Sequence, residues 1–302
     1  MAELYRKQLP PAVPIGESWE VSDRPEGVSV IDNGPFAGRD LRWLMRDHGE
    51  DLFGGAKVPE RFPLLLKILD ARETLSLQVH PPAAMAANLG GEPKTEMWYI
   101  AQAEPGAELF VGLKRGVTRQ EFERGIRDGS VADCFHRIPV RAGDAMFLPS
   151  GRVHALGGGI VLFEIQQNSD TTYRVFDWNR VDAAGKPREL HVEKSLASID
   201  FNDFEPELLP RKEEKLDGIS TRRLVKDPLF QVNALRVPAD AALPLPEGKM
   251  RILAVISGEL QAGSPEGRMM VGPGDFLLMP ACRPQSSVRS VKASEVLEIG
   301  ID

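Results

Sequence analysis

The sequence predicts a mostly β protein made of two small β-barrels in tandem, with a few short helices. Three observations predict it. Twenty-four prolines and 28 glycines among 302 residues interrupt short apolar runs, a pattern that favours strands and turns over a helical bundle. The hydrophobic share, 42%, is enough for a substantial core, and the length suits one large or two medium domains. Finally, Gly143-Asp144-Ala145-Met146-Phe147-Leu148-Pro149 is echoed by Gly274-Asp275-Phe276-Leu277-Leu278-Met279-Pro280, each position 131 residues after its counterpart. The expected division is a first domain over 1–200, an acidic, proline-containing linker over 201–217 and a second domain over 218–302.

Taken in order, residues 1–60 read as irregular, with strand-like pieces at Trp19–Val21 and Val28–Ile31. Two apolar runs, Pro63–Leu69 and Leu75–Val79, predict neighbouring buried strands. Ala83–Leu89 is alanine-rich and stops at Gly90-Gly91, which predicts a short helix with a glycine end. Met97–Ile100 and Ala107–Val111 flank Pro105-Gly106, predicting a hairpin. Thr118 and Glu121 stand three apart as in a capping box, where each side chain satisfies the other's exposed amide, so a helix is expected over Arg119–Arg127. Strands resume at Phe135 and run through Gln167, and a short helix is expected within Glu193–Asp200.

The net charge of -7 argues against a nucleic-acid partner, because such proteins neutralise phosphates with a basic excess. No run approaches the roughly 18 apolar residues that span a bilayer, and the first 16 residues are charged and proline-rich instead of forming an apolar signal core. A cytoplasmic protein with no membrane partner is expected. Cys134 and Cys282 form no CxxC pair and read as buried free thiols.

Chemistry concentrates in two segments. Gln78 and His80 are two residues apart, so on an extended strand both point to one face. Glu96 and His154 complete a candidate metal set: one amide oxygen, two imidazoles and one carboxylate suit Zn²⁺, with Mn²⁺, Fe²⁺ and Co²⁺ compatible. In the second segment Gly143, Pro149, Gly151 and His154 follow a fixed spacing. The glycines permit tight turns and the proline ends the strand, so the histidine is presented at a fixed place in the barrel wall. Carrying the repeat forward puts Gln285 where His154 stands and Cys282 where Gly151 stands, and Met250–Gly258 has no histidine. The second barrel is therefore expected to lack a metal. His48, His136 and His191 have no comparable partners and read as surface or core residues; Trp19 and Trp98 read as core packing.

The Gly-Pro-Gly-His spacing resembles the second motif of the cupin superfamily, whose barrels are of the jelly-roll type. Gln78-x-His80 with Glu96 stands where the first cupin motif has His-x-His and Glu. Leu75–Pro81, Lys94–Tyr99, Glu164–Trp178 and Arg188–His191 together resemble the type I phosphomannose isomerases in their short bacterial form, over roughly residues 15–200. The resemblance implies a zinc-dependent isomerase acting on a sugar phosphate, mannose 6-phosphate and fructose 6-phosphate. It implies metal ligation by His80, Glu96, His154 and Gln78. Arg174 falls on the family's active-site arginine, and Ser76, Lys94 and Glu164 match positions lining its pocket. The helical insertion of larger members has little room between Arg115 and Pro139.

Physical chemistry agrees with that reading. Aldose–ketose exchange passes through an enediolate whose negative oxygens need fixed positive charge, which a metal with an open position supplies. Arg174 and Lys94 each suit two roles, reinforcing that field or gripping the phosphate. The proton carrier is open between a carboxylate such as Glu164 and a lysine whose pKa a nearby Zn²⁺ lowers. The competing readings are a metal-dependent cupin of other specificity and a cupin that binds a sugar without turning it over.

Overall fold

In a computed structural model the described residues are 1–302 except 11–14, 56, 182–183, 265–266, 283–286 and 302. Two compact units result, one made of Leu69–Leu209 and the other of Met1–Ile68 together with Pro210–Asp302. The expected division at 1–200 and 218–302 differs from this grouping in where residues 1–68 go. Sequence continuity suggested the N-terminal domain for them, whereas non-local contacts group them with the C-terminal segment. Gln285, the counterpart of His154 in the repeat, lies outside the described residues.

Residues 1–68 are more ordered than expected. They hold α1 (Ala2–Tyr5), β1 (Glu17–Val21), the small pair β2 (Asp23–Arg24) and β3 (Gly27–Val28), the helix α2 (Leu41–Phe53) and the start of β4 (Leu64–Ala71). Helix α2 escaped the sequence reading, although its stop and start signals are present. The Asp40 side chain accepts from the Trp43 amide at the N-terminus, and Gly54 closes the helix at φ 75°, a left-handed geometry that glycine adopts without strain. Leu41, Met45, Gly49 and Leu52 are its buried positions. Every residue of β4 is buried, the charged Lys67 and Asp70 included, as the apolar run around them predicts.

The unit Leu69–Leu209 continues with β5 (Leu77–Val79), α3 (Ala83–Ala86), β6 (Glu96–Ala103), β7 (Glu108–Leu113), α4 (Arg119–Asp128), β8 (Phe135–Pro139), β9 (Ala145–Leu148), β10 (His154–Leu156), β11 (Ile160–Gln167), β12 (Tyr173–Phe176) and α5 (Val192–Ser198). One sheet runs β4-β11-β6-β9 and the other β12-β5-β10-β7-β8. Trp98, Ile100, Met146 and Leu162 of the first share a core with Leu109, Val111 and Leu156 of the second, so the two sheets face each other as in a cupin-like sandwich. The expected hairpin at Pro105-Gly106 is corrected: β6 and β7 exist, but they belong to different sheets. After β6 the Glu104 amide donates to the Gly159 carbonyl, and the chain crosses to the opposite sheet instead of doubling back. The capping box of Thr118 and Glu121 forms as predicted.

Segment 201–217 is not a free linker. Leu113 and Leu209 donate their amides to the carbonyls of Asp203 and Ala145, and Glu214–Leu216 forms β13, paired with β14 (Ile219–Lys226). The rest of this unit is β15 (Gln231–Val237), β16 (Arg251–Ser264), β17 (Gly267–Val271), β18 (Phe276–Met279) and β19 (Ser287–Gly300), in the order β13-β14-β15-β19-β16-β17 with β18 also on β16. Leu235, Leu253, Val255, Val271 and Val296 are among its core residues.

The repeat seen in sequence is a repeated turn in three dimensions. Gly143 and Gly274 both sit at φ 82°. Asp144 accepts from the Arg141 amide at 2.9 Å and Asp275 from the Gly272 amide at 2.8 Å. Each glycine amide then reaches the neighbouring strand, at Ile100 and at Val255. Cys134 and Cys282 are free, but the first is only half-buried and the second exposed, which corrects the expectation of buried thiols: Cys282 falls just past the end of β18, at the bend that follows the strand.

Candidate metal centre

Strand register assembles the site. His154 on β10 is the direct partner of Gln78 on β5, and Arg174 on β12 is Gln78's partner on the other side. Paired residues share a face, so Gln78, His154 and Arg174 point the same way from one sheet. On the other sheet Glu96 pairs with Gln166, and Trp98 with Glu164, which puts these four side chains on one face too. The two sets meet in the sandwich interior.

There His80, Glu96 and His154 are buried and offer ligand atoms all within 4.8 Å of one another. The His80 Nε2 lies 3.5 Å from Glu96 Oε2, and the His154 Nε2 lies 3.4 Å from Glu96 Oε1. Both rings are oriented from behind: Nδ1 of His80 donates to the Thr171 carbonyl at 2.8 Å and Nδ1 of His154 to the Arg152 carbonyl at 3.0 Å. With Nδ1 carrying the proton, each Nε2 presents a lone pair to the carboxylate. Among the described residues the His80 Nε2 and Glu96 Oε1 are buried without a hydrogen-bond partner, and Glu96 Oε2 has the Lys94 ammonium at 3.0 Å. Acceptors that converge in this way cannot satisfy one another, and the arrangement fits a bound cation. Backbone carbonyls holding the far ring nitrogens are what metal-ligating histidines have. Gln78 adjoins the cluster, its amide nitrogen 3.2 Å from the His154 Nε2; rotation of the amide about its last bond would present the oxygen there as a fourth ligand.

The electrostatics favour the ligand forms. Burial is the main force pushing the His154 imidazole down to about 3 and lowering that of His80. Burial opposes ionisation of Glu96, yet Lys94 and the two imidazoles hold it well below the usual carboxylate range. Lys94 is itself buried, with Nζ 3.0 Å from Glu96 Oε2. Burial alone lowers its pKa, but Glu164 and Glu96 outweigh that and raise it, so Lys94 stands in this structure as a cation. Glu164 is buried and accepts from the Trp98 Nε1 at 2.9 Å, while the Trp98 ring packs edge-on to His154 at 5.3 Å. Trp98 is thus both core and site wall.

Arg174 and Ser76 meet beside Gln78: the guanidinium Nε donates to Ser76 Oγ at 3.3 Å and Nη1 to the Glu189 carbonyl at 2.9 Å. His191, read from sequence as an unpartnered histidine, accepts the Arg174 backbone amide at 3.2 Å. Asp177, which sequence reasoning passed over, takes hydrogen bonds from both Arg180 and Arg188; its place among three arginines in sequence was the available signal. The carbonyls of Thr171 and Arg152 leave no trace in side-chain chemistry.

A pH dependence follows for the metal-free chain. Burial holds the His154 imidazole down to about 3 in the folded chain against the ordinary 6.5 when unfolded, so between those values the unfolded state binds a proton that the folded state refuses. Stability then falls by about 1.4 kcal/mol per pH unit for that ring, and the lowered His80 acts in the same direction. The depressed Glu96 adds to the loss only below the ordinary 4.5. Urea unfolding of chelator-treated protein is expected to be level above pH 7 and to weaken steadily from 6.5 to 4; a level profile across that range contradicts neutral buried imidazoles.

The first 105 residues match the family model described as phosphomannose isomerase type I, catalytic domain. A mannose-6-phosphate isomerase of Streptococcus mutans is 38% identical over 278 residues, 89% of this chain and 84% of that one. Mannose-6-phosphate isomerase ManA of Bacillus subtilis is 38% identical over 272 residues, 89% of this chain and 85% of that one. The crystal structure of a mannose 6-phosphate isomerase from Bacillus subtilis superposes with a TM-score of 0.89 at 31% identity, over 99% of this chain and 94% of that chain. Among the described residues no helix is long and apolar enough to cross a membrane.

Proposed function

We propose that this chain, which belongs to the type I phosphomannose isomerase family, interconverts mannose 6-phosphate and fructose 6-phosphate through an enediolate at a single Zn²⁺ site. The observation that carries the metal is the convergence of His80 Nε2, His154 Nε2 and the Glu96 carboxylate, buried and short of hydrogen-bond donors. His80, Glu96 and His154 would hold the ion, with Gln78 as fourth ligand. Bound there, Zn²⁺ supplies Lewis acidity that polarises a carbonyl and stabilises developing negative charge.

The chain's own residues divide the remaining work. Lys94, kept cationic by Glu164 and Glu96, fixes positive charge in the water-poor interior, where it is worth more than in bulk solvent. Glu164, held by the Trp98 indole, is the carboxylate placed to carry the proton between the two substrate carbons. Arg174, braced by Ser76 and the Glu189 carbonyl, presents a guanidinium to the anionic substrate. An assay of mannose 6-phosphate conversion coupled to fructose 6-phosphate consumption tests the reading. Activity is expected to vanish on exhaustive chelation and return with Zn²⁺; full turnover by protein shown to contain no metal refutes it.

A further inference from the structure

We infer that the turn Gln166–Thr171 is a clamp that sets the metal centre's geometry, with Gln166 as its positioning residue; this rests on the metal site proposed above. Gln166 is completely buried. Its amide nitrogen donates to the Gln167 carbonyl at 2.9 Å and the Ser169 carbonyl at 2.6 Å, which pulls the chain after β11 into a tight turn; the Ser169 amide closes the same turn on the Gln167 carbonyl at 2.7 Å. The turn then grips the segment Glu92–Glu96. Gln167 exchanges bonds with Thr95, its Oε1 accepting from the Thr95 amide at 2.8 Å and its own amide donating to the Thr95 carbonyl at 3.0 Å. Ser169 Oγ donates to the Glu92 carbonyl at 3.3 Å, and the Glu92 amide donates to Thr171 Oγ1 at 2.9 Å.

The last residue of this turn carries the carbonyl that takes the His80 Nδ1 proton. One hydrogen-bonded unit therefore fixes the ring of one ligand, His80, and the backbone leading into another, Glu96. A second path, from Thr95 Oγ1 through Ser150 to the Gly151 amide on the His80 carbonyl, holds the His80 backbone but not its ring. Gly91 shows how closely the parts fit, since a Cβ there would come within 2.6 Å of both Thr171 Cγ2 and the Tyr173 hydroxyl. The oxygen of the Gln166 amide meanwhile has no hydrogen-bond partner. Its two donors dictate which way the amide faces, and a buried unpaired acceptor opposes folding. Gln166 is thus a poor choice for stability alone and a good one for holding the turn.

That asymmetry gives a test that a purely structural role would fail. Gln166→Met keeps the volume and removes both the donors and the orphaned oxygen. The chelator-stripped variant is expected to remain folded by circular dichroism, yet to bind Co²⁺, read by its d–d absorption, on the order of 10- to 100-fold more weakly, as for a lost outer partner of a metal ligand. Wild-type Co²⁺ affinity in this variant overturns the clamp. Thr171→Val, which deletes the acceptor for the Glu92 amide, is expected to weaken Co²⁺ binding with Thr171→Ser restoring it, and this pair carries the test should Gln166→Met not fold; equal affinity in all three proteins overturns the clamp as well. Wild-type protein that takes up no Co²⁺ at all refutes the metal site, a result distinct from a metal-binding wild type whose variants bind equally well.

Discussion

His154→Ala is expected to abolish metal retention and turnover together, by more than the 10- to 100-fold loss typical of an outer partner. The imidazole sits at the junction of the site, its Nε2 3.4 Å from Glu96 Oε1 and 3.2 Å from the Gln78 amide. Removing it withdraws one ligand and leaves Gln78 without the neighbour that positions its amide. The fold should survive, because the Lys94–Glu96 pair remains at 3.0 Å and still neutralises the buried carboxylate. Breaking that pair instead would leave an unmatched interior charge, which costs about 3–5 kcal/mol. Elemental analysis beside circular dichroism separates the cases: a folded variant with its full complement of metal means that His154 is not a ligand.

How much of this was legible in sequence depends on the range of each interaction. The helix α4 was readable because a capping box is complete within four residues, Thr118 to Glu121. The face shared by Gln78 and His80 was readable because strand side chains alternate with a period of two. The Gly143 and Gly274 turns were readable as a pair because each needs the same positive φ and the same aspartate. What failed was non-local. Pro105-Gly106 announces a change of direction, but whether the chain returns beside β6 or crosses to the facing sheet is decided by partners more than forty residues away, β11 and β10. Helix α2 is different: its aspartate cap and glycine stop were local, and the irregular reading underweighted them. Within the site, all four proposed ligands were named from spacing and resemblance, whereas the carbonyls of Thr171 and Arg152 were invisible because any residue supplies a carbonyl.

Arg174→Ala is expected to lower kcat by about 10²- to 10³-fold, the size of effect seen when a fixed oxyanion stabiliser is lost, with metal content unchanged. The reason lies in how the three neighbouring arginines are paired. Arg180 and Arg188 both spend their charge on Asp177. Arg174 bonds only neutral acceptors, Ser76 Oγ and the Glu189 carbonyl, and among the described residues it makes no carboxylate ion pair. Burial, then the repulsion of Arg188, lowers its pKa, although Asp177 and Glu189 pull the other way, so its guanidinium is only partly compensated and available to an anionic substrate. An arginine kept for stability would have taken a carboxylate instead. Being half-buried and bonded to neutral groups, it contributes little to folding, so the variant should unfold at nearly the wild-type urea concentration. Arg174→Lys preserves the charge but loses the planar fork, and is expected to recover part of the rate. If KM rises while kcat holds, the guanidinium serves the phosphate in ground and transition states alike; if neither constant moves, Arg174 takes no part in the reaction.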